Sequence, residues 1–227
     1  MSADGSDQKQ LTTDPLIDST PSVSPDGRYI IFSSTRAGMP SLWRMDSDGS
    51  NQKPLTSGQE DYSPQVSPDG RWILFSSWRS GRSTIWKMPF EGGEPTQLTD
   101  RFTYGPTISP DGKLIACTFI DEQPGSPLRI AVLSIEGGQF IKTFDLPVTH
   151  SGDVIRWSTD GKAILYMDTR NGVTNLWSQP LEGGPARQVT DYKADQIFMF
   201  DWSRDGKQLA LARGTVSSDT VLISNFR

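Results

Sequence analysis

Short apolar segments alternate with polar turns along the whole chain, and the same alternation occurs five times. Each repeat contains the tetrapeptide Ser-x-Asp-Gly, with an apolar residue directly before it and a run of β-branched, aliphatic or aromatic residues after it. An Asp-Gly pair between two such segments is the strongest short-range signal for a β-hairpin. The segments lack helical spacing, so the pattern predicts strands throughout. The tetrapeptides begin at Ser24, Ser67, Ser109, Ser158 and Ser203, which are 43, 42, 49 and 45 residues apart.

Two further strands complete the repeat. A third apolar segment lies sixteen residues after the motif glycine, at Trp43, Trp86, Trp177 and Leu222, and in the third repeat an insertion delays it to residues 130–132. A glycine turn then leads to a fourth segment that ends in Leu-Thr or Val-Thr. A four-stranded unit with a period of about 40–45 residues predicts the blades of a β-propeller.

We therefore expect an all-β fold, a five-bladed β-propeller of four-stranded antiparallel blades, forming one domain over residues 1–227. The repeats are residues 13–56, 57–99, 100–143, 144–190 and 191–227 together with 1–12.

The two ends of the chain predict how the ring closes. The last repeat has no fourth strand of its own, and residues 1–12 align without gaps with residues 45–56. We expect residues 8–12 to form hydrogen bonds beside residues 221–224, so that a monomer closes on itself and leaves no unpaired end. The alternative is an open arc, or two arcs that complete each other as a dimer.

Composition narrows the class of partner. The net charge is −5 and the pI is about 4.9, which gives no basic surface for nucleic acid. No apolar stretch approaches the ~18 residues needed to insert into a membrane. The single cysteine, Cys117, excludes an internal disulfide and a cysteine-based metal cluster. The polar N-terminus is no signal peptide, so the chain as written is cytoplasmic, or periplasmic if a leader or upstream region is missing.

Four segments of the second repeat resemble a known family. Residues 64–70, 73–79, 85–86 and 92–99 are similar to the TolB-like, WD-related propeller repeat, and the resemblance covers nearly the whole chain. It implies a propeller that serves as an interaction module, since the TolB domain binds proteins of the bacterial envelope. Similar propellers are gating domains of prolyl-type and tricorn-like peptidases, and C-terminal modules of bacterial kinases and winged-helix regulators. This chain lacks TolB's N-terminal domain and has five repeats rather than six.

The sequence offers no catalytic site, metal site or cofactor site. The one histidine, His150, lies in an irregular segment between repeats, and no Gly-x-Ser-x-Gly nucleophile elbow occurs. Asp46, Asp48 and Asn51 resemble the start of a calcium loop, but the twelfth position is Ser57 instead of glutamate. We interpret this segment as a hairpin turn.

The candidate ligand surface is the face that carries the loops between strands two and three and the crossovers between blades. These loops vary between repeats, and variable loops on a fixed scaffold are where binding concentrates. The arginines of this face have two interpretations: a ring at the channel mouth suited to carboxylates, or structural pairs with crossover carboxylates such as Glu60, Asp61 or Asp195. The candidate residues are Trp78, Arg79, Arg36, Arg170, Tyr62, Tyr104 and Phe198. Near the axis, Arg156 and Asp201 lie on adjacent repeats, and we expect them to form an ion pair.

The leading hypothesis is a non-catalytic propeller that binds a protein or peptide, as an interaction or sensory module of a bacterial regulatory or envelope protein. It predicts that Trp78→Ala or Arg79→Ala abolishes partner binding with folding unchanged. The alternatives are a propeller hydrolase or lyase with a metal at the channel mouth, and a structural or engineered repeat scaffold without a ligand.

Overall fold

A computed structural model describes residues 6, 8–121, 123, 125–146, 154–203 and 205–216. Within these residues every regular element is a β-strand, and every strand pair is antiparallel. The strands form four sheets of four strands and one sheet of two strands. In each sheet the spatial order of the strands follows their order along the chain, so each sheet is a meander.

The first three sheets correspond to the first three sequence repeats. The first contains β1 (Asp18–Val23), β2 (Tyr29–Ser34), β3 (Ser41–Asp46) and β4 (Lys53–Pro54). The second contains β5 (Asp61–Val66), β6 (Trp72–Ser77), β7 (Thr84–Pro89) and β8 (Thr96–Gln97). The third contains β9 (Thr103–Ile108), β10 (Leu114–Ile120), β11 (Leu128–Ser134) and β12 (Lys142–Phe144).

The last two sheets differ in how much of them is described. The fourth contains β13 (Ile155–Trp157), β14 (Ala163–Arg170), β15 (Val173–Pro180) and β16 (Arg187–Gln188). The fifth contains β17 (Gln196–Trp202) and β18 (Leu209–Gly214). Residues 221–224, the expected third strand of the fifth sheet, lie outside the described residues. Residues 8–12, expected to pair with them, belong to none of the described sheets.

The Ser-x-Asp-Gly motif forms one hydrogen-bonded turn. In the second sheet the Ser67 hydroxyl donates to Asp69 Oδ1 at 2.5 Å and accepts from the Trp72 backbone N–H at 3.0 Å. Asp69 Oδ1 also accepts from the Arg71 backbone N–H at 3.0 Å. Gly70 has φ of 71°, a conformation that glycine adopts without strain. The motif thus ties the end of β5 to the start of β6.

The same hydrogen bonds recur in all five repeats. The serine hydroxyl donates to the motif aspartate at 2.5 to 2.6 Å in each of them. The hydrogen bond from the hydroxyl is the main cause that lowers the pKa of each aspartate below its ordinary value. The repeated aspartates are therefore explained as turn residues. They are Asp26, Asp69, Asp111, Asp160 and Asp205.

Consecutive sheets pack face to face through apolar clusters. Leu42 of the first sheet packs with Phe75 and Met88 of the second, and each of the three is fully buried. Polar contacts add to this packing, because Arg44 on β3 reaches Glu91 in the outer turn of the second sheet at 3.1 Å. Further clusters join the second to the third sheet, the third to the fourth and the fourth to the fifth. The hydrophobic core is thus divided into layers between neighbouring sheets.

The innermost strands of all five sheets converge on one cavity of about 340 Å³. Because every sheet contributes its first strand, the sheets are arranged radially around a common axis, as in a propeller. The strands that line the cavity contribute Thr20, Ser63, Tyr104, Arg156 and Met199, among others.

A β-bulge interrupts several of the inner strands. The register with the second strand shifts between Ser19 and Ser22 and between Tyr62 and Gln65. The bulged strands contain Thr20 with φ of 49° and Ser63 with φ of 51°. Positive φ is uncommon in residues other than glycine, and β-branched Thr20 is a strained outlier. The bulges therefore store backbone strain at the wall of the axial cavity.

We expect Ser67→Ala to lower the free energy of unfolding by about 1–3 kcal/mol. Ser67 is buried, and its loss leaves the Trp72 N–H without its acceptor and Asp69 without its hydroxyl donor. Urea denaturation measures the change. The control is Ser47→Ala on the exposed turn after β3, which should change stability by less than about 0.5 kcal/mol. Equal stability of the two variants would contradict a structural role for the motif hydroxyl.

Candidate ligand-binding face

Trp78 lies directly after β6, in the loop between strands two and three of the second sheet, and it is 42% exposed. Its ring meets the ring of Phe102 edge-on, with 6.3 Å between centroids. Phe102 directly precedes β9, in the crossover from the second to the third sheet. The two rings form an aromatic pair on the variable-loop face. Phe102 was not among the residues predicted from the sequence. Its signal in the sequence is its type and position, since it is an aromatic residue in a crossover at the start of a repeat.

Arg79 is held inside its own sheet. Its guanidinium donates to both carboxylate oxygens of Asp61, each at 2.9 Å, and the Asp61 side chain is fully buried. The guanidinium also lies over the Trp86 ring, 4.9 Å from the centroid. Of the two interpretations of the arginines, this geometry matches pairing with Asp61.

Arg36 and Arg170 have similar surroundings. Arg36 pairs with Asp18 at 2.7 Å and lies 5.1 Å from the centroid of Trp43. Arg170 pairs with Asp168 at 2.7 Å, and its guanidinium lies over the ring of Trp177 on β15, 4.4 Å from the centroid. The Arg36 side chain is 15% exposed and the Arg170 side chain 65% exposed. Of the two, Arg170 has the greater access to a ligand.

The aromatic candidates near the crossovers lie in different settings. Tyr104 lines the axial cavity, where its hydroxyl accepts a hydrogen bond from Ser63 Oγ at 3.3 Å. Tyr62 is half-buried, and burial raises the pKa of its phenol. Phe198 is 48% exposed and lies next to exposed Met199. Tyr104 thus faces the axis, whereas Trp78 pairs with a crossover residue.

An ion pair lies on the axis. Arg156 Nε donates to Asp201 Oδ1 at 3.0 Å, and Arg156 Nη2 donates to Asp201 Oδ2 at 3.0 Å. The sequence positions of these residues on adjacent repeats predict this pair, and the prediction is confirmed. Both residues line the 340 Å³ cavity and a second cavity of about 360 Å³ on the side of the Asp-Gly turns. The pair therefore lies between the two axial cavities.

A larger cavity, of about 620 Å³, lies between the second and third sheets. Two aromatic rings, Phe119 and Phe140, form part of its wall and meet edge-on with 4.9 Å between centroids. Two arginines and two carboxylates line it as well: Arg101, Arg129, Asp100 and Asp121. Asp121 stands where other repeats carry Arg36, Arg79 and Arg170, so this repeat departs from the pattern at the cavity.

Several groups with catalytic or metal-binding chemistry can be located in the described part of the chain. No group of three or more His, Cys, Asp or Glu there is placed to hold a metal ion. His150 lies outside the described residues. Cys117 is completely buried, and burial raises the pKa of its thiol to about 12. The carboxylate of Asp46 accepts from Asn51 at 2.7 Å within the turn after β3.

Residues 6–216, apart from their undescribed positions, contain no helix able to cross a membrane.

Antiparallel four-stranded meanders that pack face to face around a common axis define the protein class: the chain is a β-propeller repeat protein. Residues 1–143 match the family described as the TolB beta propeller domain, and the chain belongs to this family.

Known proteins support this assignment. The chain is 31% identical over 105 residues to tricorn protease homolog 1 of Streptomyces coelicolor, a match covering 45% of this chain and 9% of that protein. It is 43% identical over 47 residues to the Tol-Pal system protein TolB of Bordetella pertussis, covering 21% of this chain and 11% of that protein. The matched region is thus a small part of these relatives.

Among solved structures, a putative TolB from Agrobacterium tumefaciens superposes with a TM-score of 0.73 at 24% sequence identity. The superposition covers 90% of this chain and 72% of that one. At this level of identity the likeness establishes the fold alone.

We expect Arg79→Ala to destabilise the protein by about 3–5 kcal/mol, because it leaves the buried Asp61 carboxylate without its partner. Arg79→Ala therefore tests folding as well as binding, contrary to the expectation that it leaves folding unchanged. The double variant Asp61→Asn/Arg79→Gln should recover part of the loss, since no unpaired charge remains. Urea denaturation measures all three proteins. A single variant as stable as the unmodified chain would show that the pair adds nothing.

Proposed function

We propose that the chain is a non-catalytic propeller that binds a protein or peptide on its variable-loop face. The observation that carries the proposal is the exposed aromatic pair formed by Trp78 and Phe102. Tryptophan is enriched among the residues that dominate binding energy, because its large ring loses little conformational entropy on binding. Arg79 directly follows Trp78 in the sequence. Its ion pair with buried Asp61 anchors the loop that carries Trp78.

The proposed role is an interaction or sensory module of a bacterial regulatory or envelope protein. In support, the chain belongs to the TolB beta propeller domain family, and one matched relative is a component of the Tol-Pal system. The matched regions make up 9% and 11% of two much longer relatives, so propellers of this kind occur within larger proteins.

We further propose that five blades close into a ring, with the N-terminal segment as the outer strand of the last blade. A Cβ atom on Gly49 would lie 2.9 Å from the backbone oxygen of Leu11. A Cβ atom on Gly137 would lie 2.9 Å from the backbone oxygen of Leu98. Leu98 follows the fourth strand of the sheet that precedes the third sheet. By analogy, Leu11 occupies the outer-strand position of a sheet that precedes the first.

Polar contacts hold the N-terminal segment in this place. Gln52 Nε2 donates to the Leu11 backbone oxygen at 3.1 Å. Lys9 Nζ donates to the Asp48 backbone oxygen at 2.6 Å. A monomeric closed ring follows if the sheet preceding the first is the fifth sheet of the same chain.

Hydrogen exchange tests the ring. We expect the backbone amides of residues 221–224 to exchange slowly in the full chain, because they pair with residues 8–12. Leu11→Asp should release this protection, since it places a charge in the packed contact at Gly49, while the amides of β2 stay protected. The control is Leu16→Asp, which is 50% exposed and should leave the protection intact. Fast exchange of residues 221–224 in the unmodified monomer would overturn closure.

Binding is tested once a partner has been captured from the source lysate with the full chain. We expect Trp78→Ala to raise its dissociation constant by about tenfold or more. Met39→Ala is the control, since Met39 lies in the corresponding loop of the first sheet and is 47% exposed, against 42% for Trp78. Calorimetry compares the affinities, and a urea midpoint within error of the unmodified chain confirms folding. Equal affinity of both variants would place the partner elsewhere.

A further inference from the structure

Three of the four complete sheets share an aromatic pair that the third sheet lacks. Phe32 lies opposite Trp43, Phe75 opposite Trp86 and Tyr166 opposite Trp177. The equivalent pair on β10 and β11 is Cys117 opposite Ala131. Two small side chains therefore replace two rings in the third sheet.

The 620 Å³ cavity borders the position of these small side chains, although neither of them lines it. Trp86 and Leu55 of the preceding sheet both pack against the buried cluster between the first and second sheets. Leu98, the counterpart of Leu55, packs with Ala131 in the next cluster and also lines the cavity. Thr143, which lies opposite Ala131 on β12, lines it too. The cavity thus adjoins, through Leu98 and Thr143, the position at which the other complete sheets carry a tryptophan.

The third sheet keeps the cationic half of the arrangement. In the first two sheets a guanidinium lies over the tryptophan, at 5.1 Å for Arg36 and 4.9 Å for Arg79. At the cavity, Arg129 lies 5.3 Å from the centroid of Phe119, and Arg101 lies 5.2 Å from the centroid of Phe140. The wall therefore combines two guanidinium groups with two phenylalanine rings, and both kinds of group attract aromatic rings.

The charges at the cavity disfavour an anion. Arg129 pairs with Asp121 at 3.2 Å and also with Asp145. Arg101 lies 3.9 Å from Asp100, whose side chain is 94% exposed. Three carboxylates thus surround two guanidinium groups, which leaves no excess positive charge for a phosphate or carboxylate. A neutral aromatic group fits this balance better, and the volume lies within the roughly 300–1,000 Å³ typical of ligand pockets.

We propose that this cavity receives an aromatic side chain of the protein partner, next to the position at which the other complete sheets carry a tryptophan. The inference rests on the proposed binding function and deepens it. The location agrees with the proposed binding face, because Phe102, the partner of Trp78, directly follows Arg101. Trp78 and the cavity then form two anchors of one surface.

The first test uses N-acetyl-L-tryptophanamide as the probe and N-acetyl-L-leucinamide as its aliphatic control, with affinities measured by ligand-observed NMR titration. We expect the tryptophan probe to bind at millimolar concentration and about tenfold more tightly than the leucine probe. Thr143→Trp places a ring into the cavity from the lining strand and should weaken the probe about tenfold. Gln188→Trp is the matched control, since Gln188 lies opposite Trp177 as Thr143 lies opposite Ala131. It should leave affinity within about twofold.

Should Thr143→Trp fail to fold, Arg101→Gln serves instead, and we expect it to weaken the tryptophan probe about threefold or more through loss of the cation over the ring. No saturation transfer to the tryptophan probe, or equal binding to Thr143→Trp, would overturn the inference. The captured partner separates the two proposals. If Trp78→Ala weakens the partner and Thr143→Trp does not, the aromatic anchor is wrong and the binding face stands. If neither variant weakens it, both proposals fail.

Discussion

A serine hydroxyl at the first hairpin of each sheet is the contact on which the rest of the fold depends. It accepts a backbone N–H from the second strand and donates to the motif aspartate, as Ser67 does with Trp72 and Asp69. The turn thereby sets the register of the two inner strands, and a shift of register by one residue would move every core side chain to the wrong face. Because neighbouring sheets pack through those side chains, the register of each hairpin also determines the layers between the sheets.

A second contact recurs further from the axis. In three sheets an arginine pairs with a carboxylate and also lies over a tryptophan ring, which links several strands of the sheet. The pair of Arg79 and Asp61 joins the first strand to the loop after the second, and the Trp86 ring beneath it extends the contact to the third strand. Removal of Arg79 leaves the Asp61 carboxylate buried without its partner, so the pair is costly to break. In the third sheet no tryptophan lies under the arginine. Arg129 lies over Phe119 there, and both residues line the 620 Å³ cavity.

Much of the architecture could be predicted from the periodic sequence, because a hairpin is local and its turn residues have specific backbone requirements. The strands, the meander order and the pairing of Arg156 with Asp201 follow from spacing alone. The site was harder to predict. The contact of Trp78 with Phe102 joins two repeats, and residues from two sheets and the crossover between them line the 620 Å³ cavity. A sequence pattern shows which residues recur in each repeat. It does not show which side chains of neighbouring sheets come together, so neither the aromatic contact nor the cavity could be predicted from it.

The strained bulges on the inner strands have a consequence for association between molecules. Thr20 and Ser63, both at positive φ, each precede a proline on an innermost strand, and so does Gly105. An innermost strand has one unpaired edge, and proline offers no N–H there for an incoming chain. Three of the five strands at the axis are thus unable to template a continuous ladder with a foreign strand. The prolines therefore protect the unpaired inner edges of these strands from pairing with another chain.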